Sequence, residues 1–241
     1  MRPRPTATCA SPTQVATARQ VCSLLLGYPD EQMPERLPLL SSWAAALPSE
    51  LAEPLARILR HVSSTPLSQQ QADYVELFDL RRRCSLYLTY YRYGDTRKRG
   101  MALLRFKHLY SRAGLLLDDS ELPDHLAVVL EFAATGDARR GESLLQEHRA
   151  AVELIRLALE ERRSPYADVL RAVCATLPPV RAEDREAALR LAQQGPPTED
   201  VGLDPYGATP FAPPEYIPHT AAGSGFVDGS ATPSARFGAA T

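Results

Sequence analysis

Glu121, Asp124 and His125 stand in the stretch ELPDHLAVVLEF, residues 121–132, where an Asp–His pair directly follows a proline and precedes a run of aliphatic residues. Such residues could form a catalytic dyad, part of a metal site, or a dock for another protein. A dyad requires a base oriented by a third group and aimed at a nucleophile. Neighbours on a helix point about 100° apart, so Asp124 is poorly placed to orient His125. A metal site needs a second ligand set, whereas Glu121 and His125 supply two groups at a spacing that is not HExxH. Two readings remain. In one, Asp124 stabilises a helix start and His125 packs with one nitrogen hydrogen-bonded. In the other, an acidic stripe flanked by apolar groups receives a peptide carrying positive charge and apolar anchors.

Two further segments carry charge in unusual patterns. GDTRKRG, residues 94–100, places Arg97, Lys98 and Arg99 in the first turn of an expected helix, where cations oppose the helix dipole. Either Asp95 or a more distant carboxylate neutralises the cluster, or the broken rule marks a functional site. The GxxxxGK[ST] spacing is absent and no strand precedes the segment, so it makes a poor phosphate cradle. In YVELFDLRRRCSLYLTYY, residues 74–91, Glu76 and Asp79 lie within helical reach of Arg83. Three consecutive arginines cannot all face one way, so at least one should reach toward another helix.

The elements that position these groups read as helices throughout. Apolar spacing predicts helices over 13–26, 37–47 and 50–62, and a long central helix over 69–93. It predicts further helices over 96–113, 123–135, 138–162, 165–177 and 182–194. Asp95 should cap the fifth of these, and Pro123 suits the first position of the sixth. His125, Val129 and Phe132 would then share an apolar face with Leu126, Leu130 and Ala133. Asp124 and Glu131 would line up on the opposite side with Val128 between them. No stretch shows sustained strand-like alternation. The expectation is an all-α fold: a single compact multi-helix domain over 14–194. A flexible arm over 1–13 would precede it, and a disordered Pro/Gly-rich tail over 195–241 would follow, with Phe211, Tyr216, Ile217 and Phe226 spaced along it.

Length and composition bound the function. The chain has 241 residues, and its 27 basic and 29 acidic groups leave a net charge of −2. A helical domain of about 180 residues buries roughly 70% of its unfolded surface, so no metal or disulfide is required for stability. The charge balance gives no overall pull toward nucleic acid or an anionic membrane, so charge-based recognition must be local. Cys9, Cys22, Cys84 and Cys174 are scattered, as expected of isolated thiols in a reducing compartment. No stretch reaches the ~20 apolar residues of a membrane span, and the basic N-terminus leads into no apolar run. These features point to a cytoplasmic, soluble protein.

FDLRRRCSLYLTYYRYGDTRKRGMALLRFKHLY followed by AGLLLDDSELPDHLAVVLEFAA resembles the nitrate reductase molybdenum cofactor assembly chaperones of the NarJ type, which belong to the redox-enzyme maturation proteins. The dense match runs over residues 74–134, and LLGYPDE near the N-terminus agrees with it. Ala127 departs from the family pattern, which has proline after DHL, and past residue 195 the resemblance fades. The resemblance implies an all-helical protein that is not an enzyme and has no cofactor or metal of its own. Its partner would be the apo form of the nitrate reductase alpha subunit, recognised through its N-terminal segment, with molybdenum cofactor biosynthesis proteins as further partners. It would assist molybdenum cofactor insertion and delay membrane docking, without binding nucleic acid or inserting into the membrane. The candidate peptide contacts are Asp124, His125, Val128 and Glu131 on one segment and Tyr91, Arg97 and Arg99 on the other. The alternatives are a hydrolase using Asp124 or His125 as general base, and a generic helical scaffold.

Overall fold

Ser11 starts the first helix by a reciprocal cap: its hydroxyl accepts from the Gln14 N–H while the Gln14 side chain accepts from the Ser11 N–H. This helix, α1, runs Pro12–Leu26, followed by α2 (Met33–Ala45), α3 (Ser49–Ser64) and α4 (Leu67–Tyr74). After an irregular stretch come α5 (Tyr90–Tyr93), α6 (Arg97–Arg112) and α7 (Leu126–Glu131). α8 (Ala138–Glu147), α9 (Arg149–Glu161), α10 (Ala167–Ala175) and α11 (Ala182–Gln194) complete the fold. The computed structural model describes residues 10–118 and 120–194, which are helical with no named strand, as the all-α reading requires. The expectations for residues 1–9 of the arm and for the tail, including Phe211, Tyr216, Ile217 and Phe226, lie outside the described residues.

The core forms where the helical stripes meet. On α3 the buried Leu51, Leu55, Ile58, Leu59 and Val62 recur every three or four residues and face α2 and α10. α1 packs on α7 and α10, and its Arg19 is buried among apolar groups. That guanidinium donates to the Thr176 hydroxyl (3.3 Å) and carbonyl (3.1 Å) and pairs with Glu142 (3.3 Å), tying α1 to α8 and to the end of α10. At the surface, Arg57 of α3, Asp168 and Arg171 of α10, and Glu160, Arg156 and Glu153 of α9 form a continuous chain of ion pairs at 2.8–2.9 Å. The described cysteines Cys22, Cys84 and Cys174 are free.

The long central helix does not form. α4 passes into a π-helical turn, Val75–Asp79, held by Tyr74, whose ring meets Tyr28 and Phe78 and whose hydroxyl donates to the Leu26 carbonyl (2.9 Å). The chain then leaves the helix. Leu80 is 71% exposed, and Arg81, Arg82 and Arg83 are all exposed. A continuing helix would have turned at least one of these arginines into the core. Breaking the helix avoids burying a charge, and Arg81 pairs locally with Glu76 at 2.9 Å. Residues 85–87 run as non-helical chain and Leu88–Thr89 turn into α5, with Leu86 and Leu88 buried and Ser85 and Tyr87 half-buried. Gly94, at φ 57°, then reverses the chain between α5 and α6.

Other departures are smaller. The second helix starts at Met33, four residues earlier than expected, with Pro38 inside it. The helix expected over 138–162 bends at His148, whose backbone (φ −104°, ψ 22°) separates α8 from α9. α7 also ends in a π-helical turn, Phe132–Gly136, and there α8 makes its closest approach. A Cβ on Gly141 would lie 2.4 Å from the Cα and Cβ of Ala133. In an exposed helix Gly→Ala stabilises by about 1 kcal/mol. Here the clash reverses the sign: Gly141→Ala should destabilise by about 1–3 kcal/mol, read as a lower urea midpoint at unchanged m-value.

Candidate functional site

Residues 85–88 lie antiparallel to ELPDH. The Leu126 N–H donates to the Leu86 carbonyl (2.8 Å) and the Leu88 N–H to the Asp124 carbonyl (3.0 Å), bracketing a bridge between Tyr87 and His125. This pairing moves the helix start. α7 begins at Leu126, not at Pro123, and His125 is its N-cap, with Nδ1 accepting the Ala127 N–H at 3.3 Å. The expected placement of Asp124 in a first helical turn is therefore corrected. Asp124 is 0% exposed and Glu131 is exposed, so the two do not form a common acidic stripe, and Val128 is half-buried rather than central to one.

Asp124 is instead the internal anchor. Its Oδ2 accepts the Thr89 N–H (3.0 Å) and the Thr89 hydroxyl (2.5 Å), with the Arg99 guanidinium 3.9 Å away. Arg99 reaches back from the first turn of α6, also donating to Thr89 Oγ1 (3.4 Å) and to Asp95 (3.2 Å). Its guanidinium lies over the rings of Tyr87 (5.6 Å) and Tyr90 (6.0 Å). Thr96, not Asp95, occupies the N-cap of α6, and Asp95 serves as an ion-pair partner. The cation that opposes the helix dipole is thus matched by one local and one distant carboxylate.

The imidazole is enclosed. Tyr87 packs edge-on against it at 5.3 Å, and the Tyr87 hydroxyl donates to Glu121 (3.0 Å), whose other oxygen lies 4.0 Å from His125 Nε2. Burial holds the His125 pKa below its usual 6.5, outweighing the opposing fields of Glu121, Asp124 and Asp79. Burial, reinforced by Glu121, pushes the Tyr87 phenol up to about 12. Nδ1 caps a helix and Nε2 faces Glu121, so neither nitrogen is directed at a nucleophile. Among the described residues no group of three His, Cys, Asp or Glu side chains could hold a metal ion.

Beside this network opens a cavity of about 310 Å³ whose wall includes Asp79, Tyr87, Tyr90, Asp95 and Arg99. Of the sequence-predicted set, Arg99 lies on this wall and Asp124 and His125 converge behind it. Tyr91 does not face it: that ring is buried and its hydroxyl donates to the Ser85 carbonyl (2.8 Å). Arg97 is exposed on α6, and Glu131 on α7. Tyr87, Thr89 and Tyr90 were missed. Their signal is the short alternation of SLYL, which a helical reading of the segment conceals.

Architecture and site together define an all-helical protein in which ELPDH is locked against residues 86–89 and against Arg99 at the start of α6. The family model described as nitrate reductase delta subunit matches residues 44–172, more than half of the chain, and the chain belongs to that family. It is 38% identical over 157 residues to the nitrate reductase-like protein NarX of Mycobacterium tuberculosis, a match covering 65% of this chain and 24% of that one. It is 33% identical over 159 residues to the Bacillus subtilis protein carrying the name nitrate reductase molybdenum cofactor assembly chaperone NarJ, covering 64% and 85%. With NarJ of Escherichia coli K12 it shares 34% identity over 150 residues, covering 61% and 64%. The chain thus spans about a quarter of the length of the NarX relative and under two thirds of the E. coli NarJ.

Two outcomes follow. Thr89→Val removes one of the two Thr89 donors from a buried carboxylate and should cost about 1–3 kcal/mol in urea unfolding. The lowered pKa of His125, and of His148, which burial also depresses, means that the unfolded chain binds more protons than the folded one as pH drops below 6.5. Stability is therefore complete above pH 6.5 and falls as pH is lowered toward 5. His125→Asn retains a capping acceptor and should flatten part of that slope, leaving the share due to His148.

Proposed function

We propose that this chain is a client-specific chaperone for assembly of a respiratory nitrate reductase and not itself an enzyme. In this reading it binds the apo alpha subunit through that subunit's N-terminal segment, assists molybdenum cofactor insertion, and delays membrane docking until assembly is complete. It works in the cytoplasm, with molybdenum cofactor biosynthesis proteins as further partners. The observation that carries the reading is the similarity to the B. subtilis NarJ over 85% of that protein's length.

The geometry supports it. Packing ELPDH against residues 85–89 leaves a recess whose wall carries three aromatic rings (Phe78, Tyr87 and Tyr90), two carboxylates (Asp79 and Asp95) and two guanidiniums (Arg82 and Arg99). Asp95 presents a side chain that is 79% exposed. A segment with positive charge and apolar anchors fits such a wall. Val128 and the exposed Glu131, which do not line the recess, add client contacts beyond it in this reading. Arg99 stands on the wall, and Asp124, His125 and Tyr91 hold that wall in shape from behind. Among the described residues, no helix is long and apolar enough to cross a membrane.

Affinity capture from cells respiring on nitrate, read by mass spectrometry, should enrich an alpha subunit lacking its molybdenum cofactor. Recovery of only mature enzyme or of unrelated proteins by folded bait rejects the reading in favour of a general helical scaffold. Calorimetry with the client's N-terminal peptide refines it: Asp95→Lys and Glu131→Lys should each weaken binding by about fivefold, equivalent to ~1 kcal/mol.

A further inference from the structure

The outer face of α6 is chemically unlike the rest of this nearly neutral chain. Its sixteen residues, Arg97–Arg112, include six Lys or Arg and no Asp or Glu. Its inner face is fixed to the fold. Phe106 meets His148 (5.5 Å between ring centroids), Tyr110 meets Phe132 (4.6 Å) and donates to the Pro123 carbonyl (2.6 Å), and Arg99 turns into the network around Asp124.

Arg97, Met101, Leu104, His108 and Arg112 follow one another every three or four residues along the opposite face. All five are exposed, Met101 by 70% and Leu104 by 59%, and Lys98, Arg105 and Lys107 flank them. Asp95 stands at the start of this cationic surface and Glu147 beside its middle. Asp95 is held by Arg99, while Glu147 lies between Arg105 (2.7 Å) and Arg92 (3.3 Å). Lys98 and Arg112 add charge beyond those pairings.

We propose that this face docks peripherally on an anionic lipid bilayer. Cations on both sides of an apolar centre are the arrangement of a helix lying in a membrane interface, where Lys and Arg stems extend toward headgroups while Met and Leu dip below them. The helix spans about 24 Å, long enough for its cations to meet several headgroups at once. An acidic amphipathic peptide shares the charge requirement, but its apolar anchors need pockets. Met101 and Leu104 line neither the 310 Å³ recess nor the 420 Å³ cavity between α5 and α11. Both project from the exposed side of a helix, which suits a flat, deformable surface. Contact is limited to the interface, so the chain lies on the bilayer without spanning it.

Flotation of the full chain with vesicles of equal parts phosphatidylglycerol and phosphatidylcholine tests this. Partition should exceed that onto pure phosphatidylcholine at least about tenfold at low salt and fall as salt is raised. Lys98→Glu with Arg112→Glu should abolish the preference. Met101→Ser with Leu104→Ser should reduce binding by about threefold or more without lowering Tm, because both side chains are already in water. Equal partition onto the two vesicle types, or none onto either, overturns the proposal. So does binding of a Leu/Glu amphipathic peptide to this face in the absence of vesicle binding. None of these outcomes touches the client reading, which rests on the recess around Tyr87 and Asp95.

Discussion

A carboxylate removed from water must be paired, and Asp124 has no solvent contact at all. Its partners set the local fold. Two of its hydrogen bonds come from one residue, Thr89, through the N–H and the hydroxyl together, which requires residues 85–88 to lie alongside ELPDH and Thr89 to turn into α5 beside it. That requirement ends the helix that begins with α4, moves the start of α7 to Leu126 and makes His125 its cap. The Arg99 guanidinium supplies the balancing charge, which fixes the first turn of α6 against the same segment. A single buried carboxylate thus ties together the segment before α5, the start of α6 and the start of α7.

Much of the helical framework was legible in the sequence because apolar stripes at helical spacing face a common core. α1, α3, α6 and α11 lie within about two residues of their expected bounds, as helix ends fray and caps compete. The central segment was misread because Tyr74, Leu77, Leu80, Cys84, Leu88 and Tyr91 imitate a helical stripe. Leu80 is in fact exposed, and the alternation over 85–88 belongs to extended chain. Three arginines in succession were the informative feature, since no helix with one buried side accommodates them. Local pattern could not reveal the pairing with ELPDH, which joins residues about 35 positions apart. The proline before Asp124 suited a helix start on its own, and only the long-range pairing overrode it.

The site is held between parts of the chain that are remote in sequence. Ser23 of α1 donates to the Ala127 carbonyl at 2.8 Å, so the first turn of α7 is anchored from the N-terminal third. From the other side, Phe106 and Tyr110 carry α6 onto His148 and Phe132. Both helices that flank the site end in π-helical turns, which insert a residue and redirect the chain. At the second of these, the missing side chain of Gly141 lets α8 come close enough to support Ala133. The recess is therefore shaped by rigid helices, although its own wall is irregular backbone.

α6 joins this framework to the surface with one set of charges used in two ways. On its inner side the Arg99 cation is met by Asp124, Asp95 and two aromatic faces, and its charge is spent within the fold. On its outer side the cations share the face with two exposed apolar side chains. The dipole conflict at the start of this helix is thus resolved for Arg99 inside the fold. A chain with a net charge of −2 can still present a concentrated positive surface, because its acids are placed on other elements. Where the acids are withheld, and not how many bases are present, gives that surface its sign.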